Sequence, residues 1–127
     1  MQNTAQPDGP LVLVVEDDQA LRELFHDLLD EEGYRTIMAT DGAEALDLAL
    51  SEAPAIILLD LGPGLLDGPS FCRAYRERGG AAPVILVTVA NQQTAKEVLA
   101  ACGAVAYILK PFNVERVLDT IERFAAV

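Results

Sequence analysis

The sequence predicts an α/β fold with a five-stranded, doubly wound parallel sheet and helices on both of its faces. Five short apolar segments rich in β-branched residues alternate with five amphipathic segments along the 127 residues. Three of the apolar segments, LVLVV, AIILL and VILV, are almost continuously apolar, which is typical of parallel strands that helices cover on both sides. Strict alternation of strand and helix favours right-handed crossovers between parallel neighbours.

The predicted strands are these five apolar segments, and their composition separates central strands from edge strands. The second and fifth are more mixed than the other three, as strands at the edges of a sheet are. Five strands of this kind suit the flavodoxin-like order 2-1-3-4-5, in which ligands bind at the carboxyl ends of the strands. The predicted bounds are Leu11–Val15, Tyr34–Ala39, Ala55–Leu59, Val84–Val87 and Ala106–Leu109.

The predicted helices carry start and stop signals. Apolar residues recur at helical spacing in the first helix, which Gly33 ends as a C-terminal cap. Asp41 followed by Glu44 has the spacing of a capping box at the start of the second. A proline stands in the first turn of the third, Gly103 follows the fourth, and Asn113 can cap the fifth. The predicted bounds are Asp18–Glu32, Asp41–Ser51, Pro69–Arg78, Thr94–Ala101 and Asn113–Phe124.

Length and composition fit one folded domain behind a short tail. We expect a flexible tail over residues 1–10 and a single domain over residues 11–127. Hydrophobic residues make up 51% of the chain, which is enough for a sizeable core. The tail lacks the positive charge and apolar stretch of a signal peptide, and no apolar run is long enough to span a membrane. A soluble, cytoplasmic protein without a membrane partner is expected.

The net charge argues against nucleic-acid binding, and the cysteine spacing argues against a disulfide or a metal site. Nine Lys and Arg against twenty Asp and Glu give a net charge of −11. This argues against direct binding to nucleic acid, because phosphate contacts need a basic face. Most of the acidic excess is spread over several predicted helices and is interpreted as a solubilising surface. Cys72 and Cys102 lie in separate helices without paired spacing, which predicts buried reduced thiols rather than a disulfide or a metal site.

Polar residues that could carry chemistry follow four of the predicted strands. The first strand is followed by the acidic run Glu16–Asp18, the third by Asp60, the fourth by Thr88 and the fifth by Lys110. These residues should meet at one edge, because the carboxyl ends of parallel strands lie together. Two carboxylates about 4 Å apart repel by roughly 4 kcal/mol at an effective dielectric near 20. The cluster is therefore expected to hold a proton or a cation.

The donor types at this edge favour a hard divalent cation. All the expected ligands are oxygens and positions stay open, which favours Mg²⁺ or Mn²⁺ over zinc or copper. Magnesium held by carboxylates commonly shares its coordination sphere with phosphate oxygens, and Lys110 and the Thr88 hydroxyl could hold the remaining oxygens. A carboxylate nucleophile, a metal ion and a cationic side chain together suggest an aspartyl-phosphate intermediate.

The segments LVLVVEDD, IILLD, VILVT and YILKPF resemble the signature segments of bacterial response-regulator receiver domains, with the same spacing and element order. The resemblance covers essentially the whole chain after the tail. It implies that Asp60 accepts a phosphoryl group from a phosphohistidine on a sensor histidine kinase or a phosphotransfer protein. Phosphorylation would then switch the face of Thr88 and Tyr107, which would control a downstream protein partner or an output domain outside this chain.

The resemblance also implies a role for each residue of the site. Asp18 falls beyond the acidic pair and is expected to cap the first helix. The expected metal ligands are Asp17, Asp60, the backbone carbonyl of Gly62 and, through water, Glu16. The expected phosphoryl-binding and switch residues are Thr88, Lys110 and Tyr107, and the peptide bond between Lys110 and Pro111 is expected to be cis.

Three features depart from the family pattern. Val89 follows the switch threonine where receivers carry a small residue, and we expect its bulk to slow phosphorylation by small donors. Pro63 and Gly64 alter the loop after the acceptor, because Pro63 biases Gly62 toward an extended backbone. Gly62 and Ala90 stand where the family's side chains tune hydrolysis. Since neither can orient a water molecule, a long-lived phosphoryl group is expected.

Three other functions compete with the phosphorylated receiver. The first is a degenerate receiver that serves as a phosphorylation-independent docking module, which the departures at Val89 and Gly64 keep open. The second is an aspartate-nucleophile phosphatase, which would need a general acid where Gly62 stands. The third is a flavin-binding protein, which would need a Ser/Thr/Gly-rich phosphate loop after the first strand. We expect a receiver that promotes its own phosphorylation and dephosphorylation and is not a turnover enzyme.

Overall fold

The computed structural model describes residues 9–61, 67–89 and 91–125, and the predicted fold class is confirmed. The strands are β1 Leu11–Val15, β2 Arg35–Ala39, β3 Ile56–Asp60, β4 Val84–Thr88 and β5 Ala106–Leu109. They form one parallel sheet in the order β2-β1-β3-β4-β5. The helices are α1 Gln19–Glu31, α2 Gly42–Glu52, α3 Gly68–Glu77, α4 Gln92–Cys102 and α5 Val114–Ala125.

The three central strands are buried along their whole length, whereas β2 and β5 are partly exposed at the edges of the sheet. Successive side chains of a strand point to opposite faces. In β3, Ile57 and Leu59 therefore pack into one hydrophobic core, and Ile56 and Leu58 pack into another. Burial on both faces explains why the central strands are continuously apolar in sequence.

Each face of the sheet has its own layer of helices. The first core lies beneath α2, α3 and α4, which contribute Ala45, Phe71 and Cys102. The second core lies beneath α1 and α5, which contribute Phe25 and Ile121. Within the three ranges that the structure describes, no helix is both long enough and apolar enough to cross a bilayer.

The helix starts follow the predicted caps, with one shift. Asp18 and Asn113 each accept a backbone N–H from the helix that follows, at 2.8 and 3.1 Å. The fourth helix begins at Gln92 rather than at Thr94, because Asn91 caps it by accepting the N–H of Thr94 at 2.9 Å. The predicted role of Asp18 as a helix cap is therefore confirmed.

Two strands run one step further than predicted, and this extension positions the site. β3 ends at Asp60 and β4 ends at Thr88, because backbone hydrogen bonds continue past the apolar run. The N–H of Leu61 donates to the carbonyl of Val87 at 2.9 Å, and the N–H of Lys110 donates to the carbonyl of Thr88 at 2.8 Å. The sheet itself thus holds the polar residues that follow its apolar core.

Some predictions fall on residues that the structure does not describe. The altered loop at Pro63 and Gly64 lies outside the described residues, and so do Gly62 and Ala90. The same holds for residues 1–8 of the predicted tail. These expectations stay predictions.

Candidate functional site

Asp60 lies at the centre of the carboxyl edge of the sheet. It is the last residue of the central strand β3 and is only 3% exposed. The ammonium of Lys110 approaches it from the end of β5, with Nζ 2.5 Å from Asp60 Oδ2. A charge-assisted contact of this kind offsets part of the cost of burying a carboxylate. The predicted acceptor and the predicted cation are therefore in direct contact.

Glu16 is the second buried carboxylate of the site, at the end of β1 and only 1% exposed. Its Oε2 accepts the N–H of Asp18 at 3.2 Å, and its backbone carbonyl accepts a bond from the Arg22 guanidinium at 2.9 Å. No donor among the described residues bonds to Oε1, and Lys110 Nζ remains 3.9 Å away from it. Oxygen Oε2 of Glu16 thus has a hydrogen-bond donor, whereas Oε1 has none among the described residues.

Burial is the main reason why the pKa of Glu16 rises from 4.5 to about 8, and the neighbouring Asp60 carboxyl group contributes to the same rise. The nearby ammonium of Lys110 opposes this shift, as does the N–H of Asp18. Without a metal ion, burial thus favours the protonated form of Glu16 at neutral pH. The predicted need of this cluster for a proton or a cation agrees with the arrangement of these two carboxyl groups.

The other predicted residues surround this pair. Asp17 is exposed beside Glu16, and Thr88 is 5% exposed at the end of the neighbouring strand β4. Tyr107 is half-buried on β5, opposite Leu86, and packs against the core beneath α2, α3 and α4. Val89 is 73% exposed directly after Thr88. The fold therefore brings the carboxyl ends of four strands together at one edge.

The peptide bond between Lys110 and Pro111 is cis, as predicted. One contributor to the site was not predicted from the sequence. Arg22 on α1 binds the carbonyl of Glu16 at 2.9 Å and fixes the end of β1. An arginine on a helix that is already amphipathic gives no sequence signal for such a role.

The chemistry of the donors at this edge fits a hard divalent cation. Oxygen Oε1 of Glu16 lacks a donor among the described residues, and a cation can replace the proton that Glu16 otherwise carries. Within the described ranges, no three acidic, histidine or cysteine side chains are already grouped as metal ligands. Glu16, Asp60 and Asp17 therefore all stay predicted ligands.

Several solved structures are similar to this chain over nearly its whole length. The receiver domain of the Francisella response regulator 1452 is 28% identical, with a TM-score of 0.84 over 92% of this chain and 97% of that chain. Chemotaxis protein CheY4 of Vibrio cholerae is 30% identical, with a TM-score of 0.82 over 91% of this chain and 98% of that chain. The receiver domain of sensor histidine kinase PA1611 from Pseudomonas aeruginosa PAO1 is 28% identical, with a TM-score of 0.82 over 92% and 98%. That last structure has a magnesium ion coordinated in its active-site cleft.

Curated proteins with similar sequences are response regulators. Response regulator MprA of Mycolicibacterium vanbaalenii is 37% identical over 107 residues, which are 84% of this chain and 46% of that protein. The protein of the same name from Mycobacterium avium is 36% identical over 107 residues, 84% of this chain and 47% of that protein. The chain thus spans less than half the length of these relatives. The family model of the response regulator receiver domain matches residues 12–122, and the protein therefore belongs to the response-regulator receiver domain family.

Proposed function

We propose that this receiver domain is phosphorylated on Asp60 by a phosphohistidine of a sensor histidine kinase or a phosphotransfer protein. The observation that carries the proposal is the pairing of Asp60, buried at the end of a central strand, with the ammonium of Lys110 2.5 Å away. Glu16 lies beside this pair with one carboxylate oxygen that no described donor satisfies. A buried nucleophile, a cationic partner and an adjacent acidic side chain together suit phosphoryl transfer to a carboxylate.

Each residue of the site has a separate role in the proposed phosphoryl transfer. An oxygen of Asp60 attacks the phosphorus of the donor, and the bond between phosphorus and the histidine nitrogen breaks. Lys110 is close enough to Asp60 to donate from Nζ to an oxygen of the transferred group. Asp17, Asp60, the Gly62 carbonyl and, through water, Glu16 would hold Mg²⁺ or Mn²⁺. When bound, the cation supplies charge neutralisation for the phosphoryl oxygens.

The output of the switch is proposed to lie on β4 and β5. Thr88 ends the strand next to Asp60, so that its hydroxyl can bond to a phosphoryl oxygen of the modified acceptor. Tyr107 is half-buried on β5 and packs against the same core as Leu86, and we expect its packing to respond to the state of Thr88. Phosphorylation would bias an existing equilibrium on this face. The face would control a protein partner or an output domain rather than nucleic acid directly, in the cytoplasm.

Intact-protein mass measurement with acetyl phosphate and Mg²⁺ tests the proposal. The protein should gain about 80 Da, the mass of one phosphoryl group, and an Asp60→Asn variant should gain nothing. Asp67→Asn is the matched control, since Asp67 is an exposed carboxylate just before α3, and this variant should react like the unmodified protein. A folded protein without any mass gain would contradict the proposal and favour the docking module.

Val89 offers a graded test of access to the same site. Its side chain is 73% exposed next to Thr88, where we expect its bulk to hinder a small donor. We expect Val89→Ala to react with acetyl phosphate about two- to tenfold faster, because alignment of the donor with the nucleophile becomes easier. Val114→Ala, which shortens another exposed valine at the start of α5, should not change the rate. Equal rates for all three proteins would show that Val89 does not limit access.

A further inference from the structure

The two cysteines lie far apart in sequence but meet where α3 packs on α4. Cys72 is 2% exposed in the middle of α3, and Cys102 is 5% exposed as the last residue of α4. Both belong to the same buried core. Gly68 lies one helical turn before Cys72, and residues four apart share a helix face. A Cβ built at Gly68 would lie 3.3 Å from Sγ of Cys102, so this thiol sits on the face of α3 that also carries Cys72.

The contact between the thiols makes them chemically unequal. A hydrogen bond with the Cys102 thiol lowers the pKa of Cys72, and Arg76 on the same helix acts in the same direction. The same hydrogen bond, together with burial, raises the pKa of Cys102. Arg76 thus favours the thiolate form of Cys72, and Cys102 is positioned to react with the oxidised sulfur of Cys72.

We propose that Cys72 and Cys102 form a redox-sensitive pair that a peroxide converts into an intramolecular disulfide between α3 and α4. The pair is distinct from the phosphorylation site, and the inference does not rest on the function proposed for Asp60. Because both thiols are buried, a small oxidant is favoured. It would reach the thiols when the end of α4 at Cys102 opens locally.

The reaction balances with one peroxide for each disulfide. The Cys72 thiolate attacks one peroxide oxygen, the O–O bond breaks, and the sulfur becomes a sulfenic acid as the leaving hydroxide takes up a proton to give water. The Cys102 sulfur then attacks the Cys72 sulfur, the S–O bond breaks, and a second water leaves. Two thiols have lost two protons and two electrons, and hydrogen peroxide has been reduced to two molecules of water.

The disulfide would tie the end of α4 to α3 close to the acceptor strand. A Cβ at Gly68 would meet Leu61 Cδ2 at 2.7 Å as well as the Cys102 thiol, and Leu61 directly follows Asp60. The link would enclose residues 72–102, which include β4 with Thr88. Oxidation would thus restrain the helix layer that covers this part of the sheet.

The test is oxidation of the reduced full chain with hydrogen peroxide, followed by alkylation and peptide mass mapping without reductant. The expected product is a monomer about 2 Da lighter, with Cys72 and Cys102 in one linked peptide pair and the mass restored by reductant. Its melting temperature should rise by about 5–15 °C, because the link constrains the unfolded chain. Cys102→Ala should instead stop at an oxygen adduct on Cys72.

Other products would overturn the inference. These are oxygen adducts on both thiols of the unmodified protein, a disulfide between two chains, or thiols that remain reduced in the folded protein while both alkylate fully in denaturant. The mapping of the unmodified protein decides the matter even where the Cys102→Ala variant folds poorly.

Discussion

Polar groups are buried at both ends of the strands of this sheet. They are compensated differently at the carboxyl edge, where the strands end, and at the amino edge, where the strands begin. At the amino edge, the Tyr75 hydroxyl accepts the N–H of Ala82 at 3.0 Å, and the ring of Tyr75 fills the space over Gly80. The hydrogen bond and the packing of Tyr75 therefore stabilise the amino edge. At the carboxyl edge, Glu16 and Asp60 are both buried, and the Lys110 ammonium lies 2.5 Å from Asp60 and 3.9 Å from Glu16. The carboxyl edge keeps an electrostatic cost that a bound cation would relieve.

Lys110→Met should give the largest effect, because it removes the ammonium that compensates the buried carboxylates. We expect a loss of about 2–4 kcal/mol in the free energy of unfolding at pH 8 without metal, measured by urea denaturation. Lys96→Met, at an exposed position on α4, should leave stability nearly unchanged. The loss should shrink in a Glu16→Gln, Lys110→Met double variant, because one of the two carboxylates is gone. Equal losses in the free energy of unfolding for the single and the double variant would show that Lys110 does not compensate the charge of Glu16.

Glu16→Gln should have a stabilising effect that depends on pH. The pKa of Glu16 is about 8 in the folded protein and near that of an ordinary glutamate in the unfolded chain. Below the unfolded pKa both states carry the proton and the burial of Glu16 costs little. As pH rises toward the folded pKa, only the unfolded state releases the proton easily, so the unmodified protein loses stability. The variant keeps the hydrogen bonds without the charge.

The measurement is urea denaturation from pH 5 to pH 9 with a chelator present. At pH 9 the Glu16→Gln variant should be more stable than the unmodified protein by on the order of 3 kcal/mol, and near pH 5 the difference should largely vanish. Glu97→Gln, at an exposed position on α4, serves as the control. A difference that does not depend on pH would show that the burial of Glu16 has no electrostatic cost.

Gly80→Ala probes the amino edge. The added methyl group would lie 2.1 Å from the ring of Tyr75, so the ring, whose hydroxyl accepts the N–H of Ala82, must move. We expect a loss of about 2–3 kcal/mol, independent of pH between 5 and 9. Gly79→Ala meets nothing within 4 Å but has a φ of +93°, and it should lose about 1 kcal/mol through backbone strain alone. A larger loss at Gly79 than at Gly80 would contradict the tight packing of Tyr75.

The fold was predictable because its signals are local. Continuous apolar runs mark the buried strands β1, β3 and β4, and Asp18 and Asn113 mark helix starts by hydrogen bonds that their own neighbours donate. The start of α4 was missed by two residues because Asn91, which caps the helix, and Thr94 are both of residue types that cap helices. Boundaries of this kind depend on which side chain reaches which N–H, and sequence alone does not rank them.

The candidate site was predictable as a set of residues but not as a geometry. Its members follow buried strands, so the sheet order brings Glu16, Asp60 and Lys110 together. The sequence does not distinguish the buried Glu16 from the exposed Asp17 beside it, although this difference decides which carboxyl group takes up a proton. The meeting of Cys72 and Cys102 was also missed, because it depends on how α3 packs against α4.

The central claim is that Asp60 is the phosphoryl acceptor, and chemical trapping of the modified residue tests it most directly. Borohydride reduces an aspartyl phosphate to an alcohol, so the affected residue becomes about 14 Da lighter than the original aspartate and can be located by peptide mass mapping. After treatment with acetyl phosphate and Mg²⁺, the account predicts this change at Asp60 and at no other carboxylate. A change at Asp17 or Asp18, or no change while the protein remains folded, would contradict it.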